Sequence, residues 1–430
     1  MKHNRTAYRT LRWIIAALTL QASVAAYAGT TVLIRDATVH TMTAAGTLEH
    51  TDILISDGKI AELGHGIAAP ANGEVIDAKG RPVTPGLFGG ISHLGLEEIG
   101  EETSIDDYSL TLGMRPEFDV TLAFNPSSTV LGVSRLGGIT FSMVAPSSSE
   151  HGHGNDHGSL IAGQGAMARL DGTIDPATHA LFVELGGGVN GLSGGSRAAE
   201  FMLLQQAVTE VRSTRSLLPG DARLLTVGGR QALGTYLEGT HSMVFAVDRA
   251  ADIRQVIAFA TREKVHAIIT GGAEAWRVAP ELAAAKIPVL LNPLIDLPDS
   301  FDSVGSTLEN AARLQRAGVK IAFTFADDPS SYNIRKIRQT AGIAVAHGLP
   351  WEEGLAAITR HPAEIFGIEA TNGSLGKGRP ADLVLWSGDP LEVTTLADRV
   401  FIQGVSQPMQ SRQTELRDRY LQKLRANAAR

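Results

Sequence analysis

Through the middle of the chain, short runs of β-branched and other apolar residues alternate with stretches whose apolar positions recur every three or four residues. This predicts repeated strand–helix units on a parallel sheet. The strand-like runs are residues 88–94, 139–145, 159–162, 180–184, 242–247, 267–270, 288–292 and 320–324. Helical spacing covers 198–211, 252–264, 275–285, 307–317 and 333–347. Eight such strands predict an α/β fold, a (β/α)8 barrel of the TIM type, so candidate chemistry is sought on residues just after each strand.

Both flanks read differently. Residues 31–34, 52–56, 59–62 and 74–77 are short strands punctuated by Asp57-Gly58 and Ala78-Lys79-Gly80. The same texture returns at 382–386 and 400–402 among Gly373, Gly376, Gly378, Gly388 and Gly404. Two β-rich ends around a long middle predict a small discontinuous β-sandwich domain from 29–84 and 372–410, with the barrel spanning 85–371. A chain of 430 residues suits this division, because a single core stops growing beyond roughly 250 to 300 residues. Residues 411–430 predict a charged C-terminal helix that packs back on the body through Leu416, Tyr420 and Leu424.

At the other terminus Lys2, Arg5, Arg9 and Arg12 precede an apolar run over 13–20, and Ala26-Tyr27-Ala28 offers small residues for cleavage. Residues 1–28 therefore predict a secretory signal peptide and a periplasmic or secreted protein. The run is shorter than the roughly 20 residues of a membrane span, so no span is expected in the mature chain. With no cysteine, thiolate nucleophiles and thiolate metal ligands are excluded, and a metal must take His and carboxylate ligands. A net charge of -7 argues against nucleic acid and for a small-molecule substrate; an oligomer stays open. The glycine cluster from Gly186 to Gly195 lacks the lysine of a P-loop and reads as a loop.

Three stretches carry a resemblance: Val83-Thr84-Pro85-Gly86-Leu87, the run from Ile358 to Gly367 around His361-Pro362, and Gly373-Ser374-Leu375-Gly376-Lys377-Gly378 followed by Ala381-Asp382-Leu383-Val384. Together they resemble the amidohydrolase superfamily, especially its imidazolonepropionase-like members. The resemblance implies a metal-dependent barrel that hydrolyses C–N bonds in cyclic amides, amidines or dipeptide-like substrates with a metal-activated water. It further implies a divalent ion, zinc by preference, and a His-x-His pair ending the first strand. Here Ile91 stands at the first of those positions and His93 at the second. The histidine positions of strands five and six fall at or near Ala246 and Gly271, and Glu184 is the nearest polar group where a bridging lysine would end strand four. Asp327 matches the family's general base, with Asp328 one residue away.

His151, His153 and His157, in the segment His-Gly-His-Gly-Asn-Asp-His after the second strand, are candidate metal ligands beside His93 and Asp327. A glycine-rich solvated loop is the alternative, because ordering such a segment costs about 1–2 kcal/mol per residue. Arg249, Glu274, Arg277 and Asn292 follow strands five, six and seven and are candidate substrate-binding residues, the arginines suiting a carboxylate. Salt bridges between neighbouring loops would use the same groups. No Gly-x-Ser-x-Gly elbow marks a serine nucleophile. Two functions follow: an exported hydrolase of C–N bonds, or a relative that binds a small molecule or partner without turnover.

Overall fold

The computed structural model describes residues 31–98, 106–110, 112–148, 158–213, 223–298, 300–325 and 332–428. The chain enters through five strands: β1 (Val32–His40), β2 (Thr47–Ser56), β3 (Lys59–Gly64), β4 (Glu74–Asp77) and β5 (Pro82–Pro85). Eight barrel strands come next: β6 (Leu87–Ser92), β7 (Ile139–Val144), β8 (Ile161–Arg169), β9 (Ile174–Glu184), β10 (Ser242–Val247), β11 (His266–Gly271), β12 (Val289–Leu291) and β13 (Ile321–Phe323). The chain then returns with β14 (Leu383–Trp386), β15 (Ala397–Ile402) and β16 (Val405–Ser406).

The first five and last three strands form one hydrogen-bonded sheet around its own apolar cluster of Val32, Ile34, Ile53, Ile55, Leu383 and Phe401, among others. The join between the two ends is antiparallel, with Leu383 opposite Pro85 and Val384 opposite Thr84. Trp386, fully buried, donates from Nε1 to Thr84 Oγ1 at 2.9 Å and fastens β14 to the foot of the barrel.

The barrel strands follow one another in chain order around the second sheet. Strands β10 and β11 are apolar along nearly their whole length and buried on both faces, the expected signature of parallel strands covered by helices. The expectation of eight parallel strands is corrected at the third. β8 starts two residues later and runs longer than its sequence pattern suggested, and it pairs antiparallel with both β7 and β9. Only residues 170–173 separate β8 from β9, whereas a parallel crossover needs a dozen or more. The Asp171-Gly172 turn therefore makes a hairpin.

Inward-facing side chains fill the barrel with Phe88, Phe141, Met143, Phe182, Val244, Ile268 and Leu290, capped below by Ile365 and Phe366. The ring is completed between β13 and β6 by a side chain instead of a backbone ladder. Ile91 N donates to Thr324 Oγ1 at 2.9 Å, and Gly90, at φ +85°, allows the approach, since a Cβ there would sit 2.9 Å from the same oxygen. Backbone bonds from Phe88 N to Ile358 O (2.8 Å) and from Phe323 N to Ala357 O (3.1 Å) brace the seam below.

The helix Arg412–Ala428 has the predicted period, but its packing is corrected: Tyr420 and Leu424 are 58% and 64% exposed. Arginines and lysine flank that stripe, and their solvation opposes burial of so narrow an apolar face. No described helix is long and apolar enough to cross a membrane.

Candidate functional site

The period of two along each strand decides which residues reach the interior at the C-terminal mouth. Val244 and Ile268 face inward, so Ala246 and Thr270 do too; Thr270, and not Gly271, is the inward residue ending the sixth strand. The same parity carries Glu184 on β9, Asn292 after β12 and Thr324 after β13 above the apolar fill. Ile91 is part of that fill, 7% exposed, while His93 stands above it.

His93 is held on several sides. Its ring stacks on Tyr108 with centroids 3.8 Å apart and planes 6° from parallel. Nε2 lies 3.2 Å from Ser147 Oγ, and Nδ1 lies 4.0 Å from Glu97 Oε2. His93, Tyr108 and Glu97 are all buried, whereas Ser147 is half-buried. Across the β7–β9 gap Glu184 accepts from Ser148 N at 2.8 Å and from Ser148 Oγ at 2.5 Å, bridging over the antiparallel β8.

The loops beyond are laced by charge. Arg249 pairs with Asp252 at 2.8 Å. Arg197 meets both Asp252, at 3.2 Å, and Asp302, which also accepts from Gly187 N at 2.6 Å. Burial pushes the Asp302 carboxyl up, but the Arg197 hydrogen bond and the Gly187 amide outweigh it and hold it below the usual range. Glu200, fully buried, accepts from Gly186 N at 2.8 Å; burial raises its pKa. This ties down the glycine cluster. Glu274 accepts from Ala250 N at 3.0 Å and sits 3.6 Å from Arg277, whose guanidinium lies 5.1 Å from the Trp276 ring centre. Asn292 accepts from Leu294 N at 3.1 Å. The candidate substrate residues Arg249, Glu274, Arg277 and Asn292 are thus all at the mouth, engaged in loop contacts, with the arginine side chains 38% and 47% exposed.

Asp327, Asp328, His151, His153 and His157 lie outside the described residues. Among the described residues no three His, Asp or Glu side chains converge as metal ligands. Ile91 and Ala246 have no lone pair to give, and Glu184 is committed to Ser148. A catalytic zinc site needs three protein ligands; the described residues do not fit one. Sequence reasoning missed Ser147, Glu97 and Tyr108. Their contacts bring separate loops onto His93, and no local motif announces them. A cavity of about 670 Å³ opens at the opposite end, beside Ser242, His266 and Lys320 at the strand starts, where a barrel carries stability and not chemistry.

Known proteins show the same plan. Residues 222–410 match the amidohydrolase family. An imidazolonepropionase from Polaromonas sp. is 36% identical over 106 residues, 24% of this chain and 24% of that protein. One from Mesorhizobium japonicum is 25% identical over 385 residues, 79% of this chain and 87% of that protein. The first curated relatives are spanned over only 12% and 24% of their length. The crystal structure of an amidohydrolase from Thermotoga maritima superposes with a TM-score of 0.76 at 27% identity, covering 87% of this chain and 99% of that one.

Proposed function

We propose that this chain, which belongs to the amidohydrolase superfamily, imidazolonepropionase-like branch, is a hydrolase of non-peptide C–N bonds. Its substrates are small cyclic amides, amidines or dipeptide-like molecules, opened at the C-terminal mouth of the barrel. The observation that carries this reading is the buried imidazole of His93, fixed at the mouth above an apolar interior, where a positioned proton-transferring group can act. Asp327, with Asp328 beside it, is proposed as the carboxylate that engages the substrate nitrogen. Superfamily members typically bind divalent metals; zinc is a proposal carried by the resemblance, and His151, His153 and His157 as its ligands a proposal carried by their sequence pattern.

Mature protein given a panel of hydantoin-like rings, cyclic amidines and dipeptides is expected to release the ring-opened or cleaved product, and Asp327→Asn to lower kcat/KM at least about 100-fold. Saturable binding by calorimetry with no product from any member would refute the hydrolase. That outcome is the second reading, a binding protein without turnover, favoured by Ile91 and Ala246 at two family ligand positions.

Export is proposed from the basic and apolar pattern before Gly29. Intact mass of protein recovered from the periplasm is expected to start near that residue; a retained Met1 speaks against it.

A further inference from the structure

We infer that the C-terminal helix of one copy of this chain docks on the exposed loop after β12 of a second copy, and the second copy's helix on the first, in a twofold exchange of arms. The inference concerns assembly and does not rest on the hydrolase reading.

The helix Arg412–Ala428 turns an apolar face to solvent. Leu416, Tyr420 and Leu424 recur every four residues along that face, and Leu421, three residues before Leu424, widens it. Its root is seated, since Ser411 is buried, but no side chain from residue 412 to 426 is buried. Cations gather at the stripe: Arg419 and Lys423 lie 5.8 and 5.5 Å from the Tyr420 ring centre. Among the described residues the ion pair made by this helix is that of Arg417 with Asp418, at 2.8 Å.

The loop offers the complement. Leu294, Leu297, Phe301 and Val304 are all exposed within eleven residues, Leu297 at 76% and Phe301 at 94%. Isolated exposed hydrophobics are ordinary, but such a concentration marks an interaction surface. Residues 293–304 carry Asp296, Asp299 and Asp302 and no lysine or arginine. The loop is also held in place: Ser300 N donates to Ser303 Oγ at 3.2 Å, Trp276 Nε1 to Gly305 O at 2.8 Å, and Asp302 is fixed by Arg197 and by Gly187 N. A preformed surface loses little freedom on binding. Helix and loop are both bare within one chain, so the contact joins two chains.

Charge decides which partner fits. Residues 411–430 hold six Lys or Arg and two Asp or Glu, a net +4 in a chain of -7, which leaves -11 on residues 1–410. The body of a second copy therefore attracts the helix, whereas two such helices packed on each other repel. An anionic lipid surface attracts the helix too, but repels the larger acidic body that must come with it. The flanking cations stay at the rim, their stems over apolar surface and their heads near the aspartates. Exchange about a twofold axis makes the same contact twice, adding area towards the roughly 1,200 Å² of a specific dimer. Because the loop follows Asn292 at the C-terminal end of β12, each helix then rims the other copy's mouth.

A chain without cysteine allows a clean test. Full mature chains carrying Phe301→Cys and Leu424→Cys are mixed in equal amounts and treated with a short bismaleimide; peptide mass mapping is expected to find a cross-link joining the two positions between chains. Sedimentation velocity of the wild type is expected to show a dimer that dissociates on dilution and with added salt. Leu424→Glu and Phe301→Glu, both at exposed positions, are each expected to weaken the dimer at least about tenfold with an unchanged circular dichroism spectrum. Arg419→Gln combined with Lys423→Gln is expected to slow association and flatten the salt dependence. A wild type that stays monomeric at every concentration overturns the inference, as does a dimer that both glutamate variants leave intact. A monomer that co-sediments with vesicles of equal phosphatidylglycerol and phosphatidylcholine, and no longer does so as Leu424→Glu, gives the helix to a lipid surface and overturns the exchange equally.

Discussion

Trp386→Ala is expected to lower the unfolding free energy by about 3–5 kcal/mol, the usual cost of emptying a large aromatic site. The indole is fully buried and belongs to the apolar cluster outside the barrel strands, although it grows from the small sheet. It packs against Gly138 just before β7: a Cβ there would lie 2.3 Å from the ring. Its loss also leaves the Thr84 hydroxyl without its donor and strips the Arg338 guanidinium of the ring 4.8 Å beneath it. Arg338 in turn donates to Pro390 O and Thr395 O, at 2.7 and 2.9 Å, holding the turn after β14. Trp386→Phe keeps most of the packing and is expected to cost less than half as much. Equilibrium denaturation of the three proteins decides; equal midpoints for wild type and alanine would show that the small sheet is not fastened here.

Gly165→Ala is the second large effect. Gly165 sits on the antiparallel β8 opposite Ala180, and a Cβ added there would lie 2.0 Å from Val144 O and 3.0 Å from Ala145 Cα. Both neighbours are backbone, so neither can rotate aside; β8 must lift away from β7. Overpacking ordinarily costs about 1–3 kcal/mol, and this site is expected at or above that upper end. Gly64→Ala, where a Cβ meets nothing within 4 Å, is the control and is expected within about 0.5 kcal/mol of wild type. A thermal scan in which the two substitutions behave alike would contradict the tight β7–β8 contact.

The sequence read most clearly where one physical constraint acts alone. β10 and β11 are buried on both faces and appear as unbroken apolar runs, so their limits were readable to within a residue. β8 was obscured because expecting a helix after every strand overrode the Asp171-Gly172 turn, a strong hairpin signal. The helix Arg412–Ala428 shows another limit: spacing fixes its period, but not whether a partner is there to cover it.

The site divides in the same manner. His93 could be found because it matches a motif, and Glu184 because it ends a strand on the inward parity. Ser147 and Glu97 could not, because their contacts with it depend on loop geometry: Ser147 meets an imidazole 54 positions away. Asn310, donating to Gly272 O at 2.9 Å from within a buried helix start, was equally invisible. Strand order alone points to Arg249 and Arg277 as residues following strands five and six, while their pairing with Asp252 and Glu274 became evident only once the loops were folded.

The central claim is that the mouth around His93 adds water across a C–N bond. Incubating the mature chain with a small cyclic amide in water enriched in oxygen-18, and weighing the products, tests it most directly. A ring-opened acid carrying one heavy oxygen is expected from the wild type and almost none from His93→Asn. An unchanged substrate with the folded wild type across the whole panel, or equal product from both proteins, would contradict it.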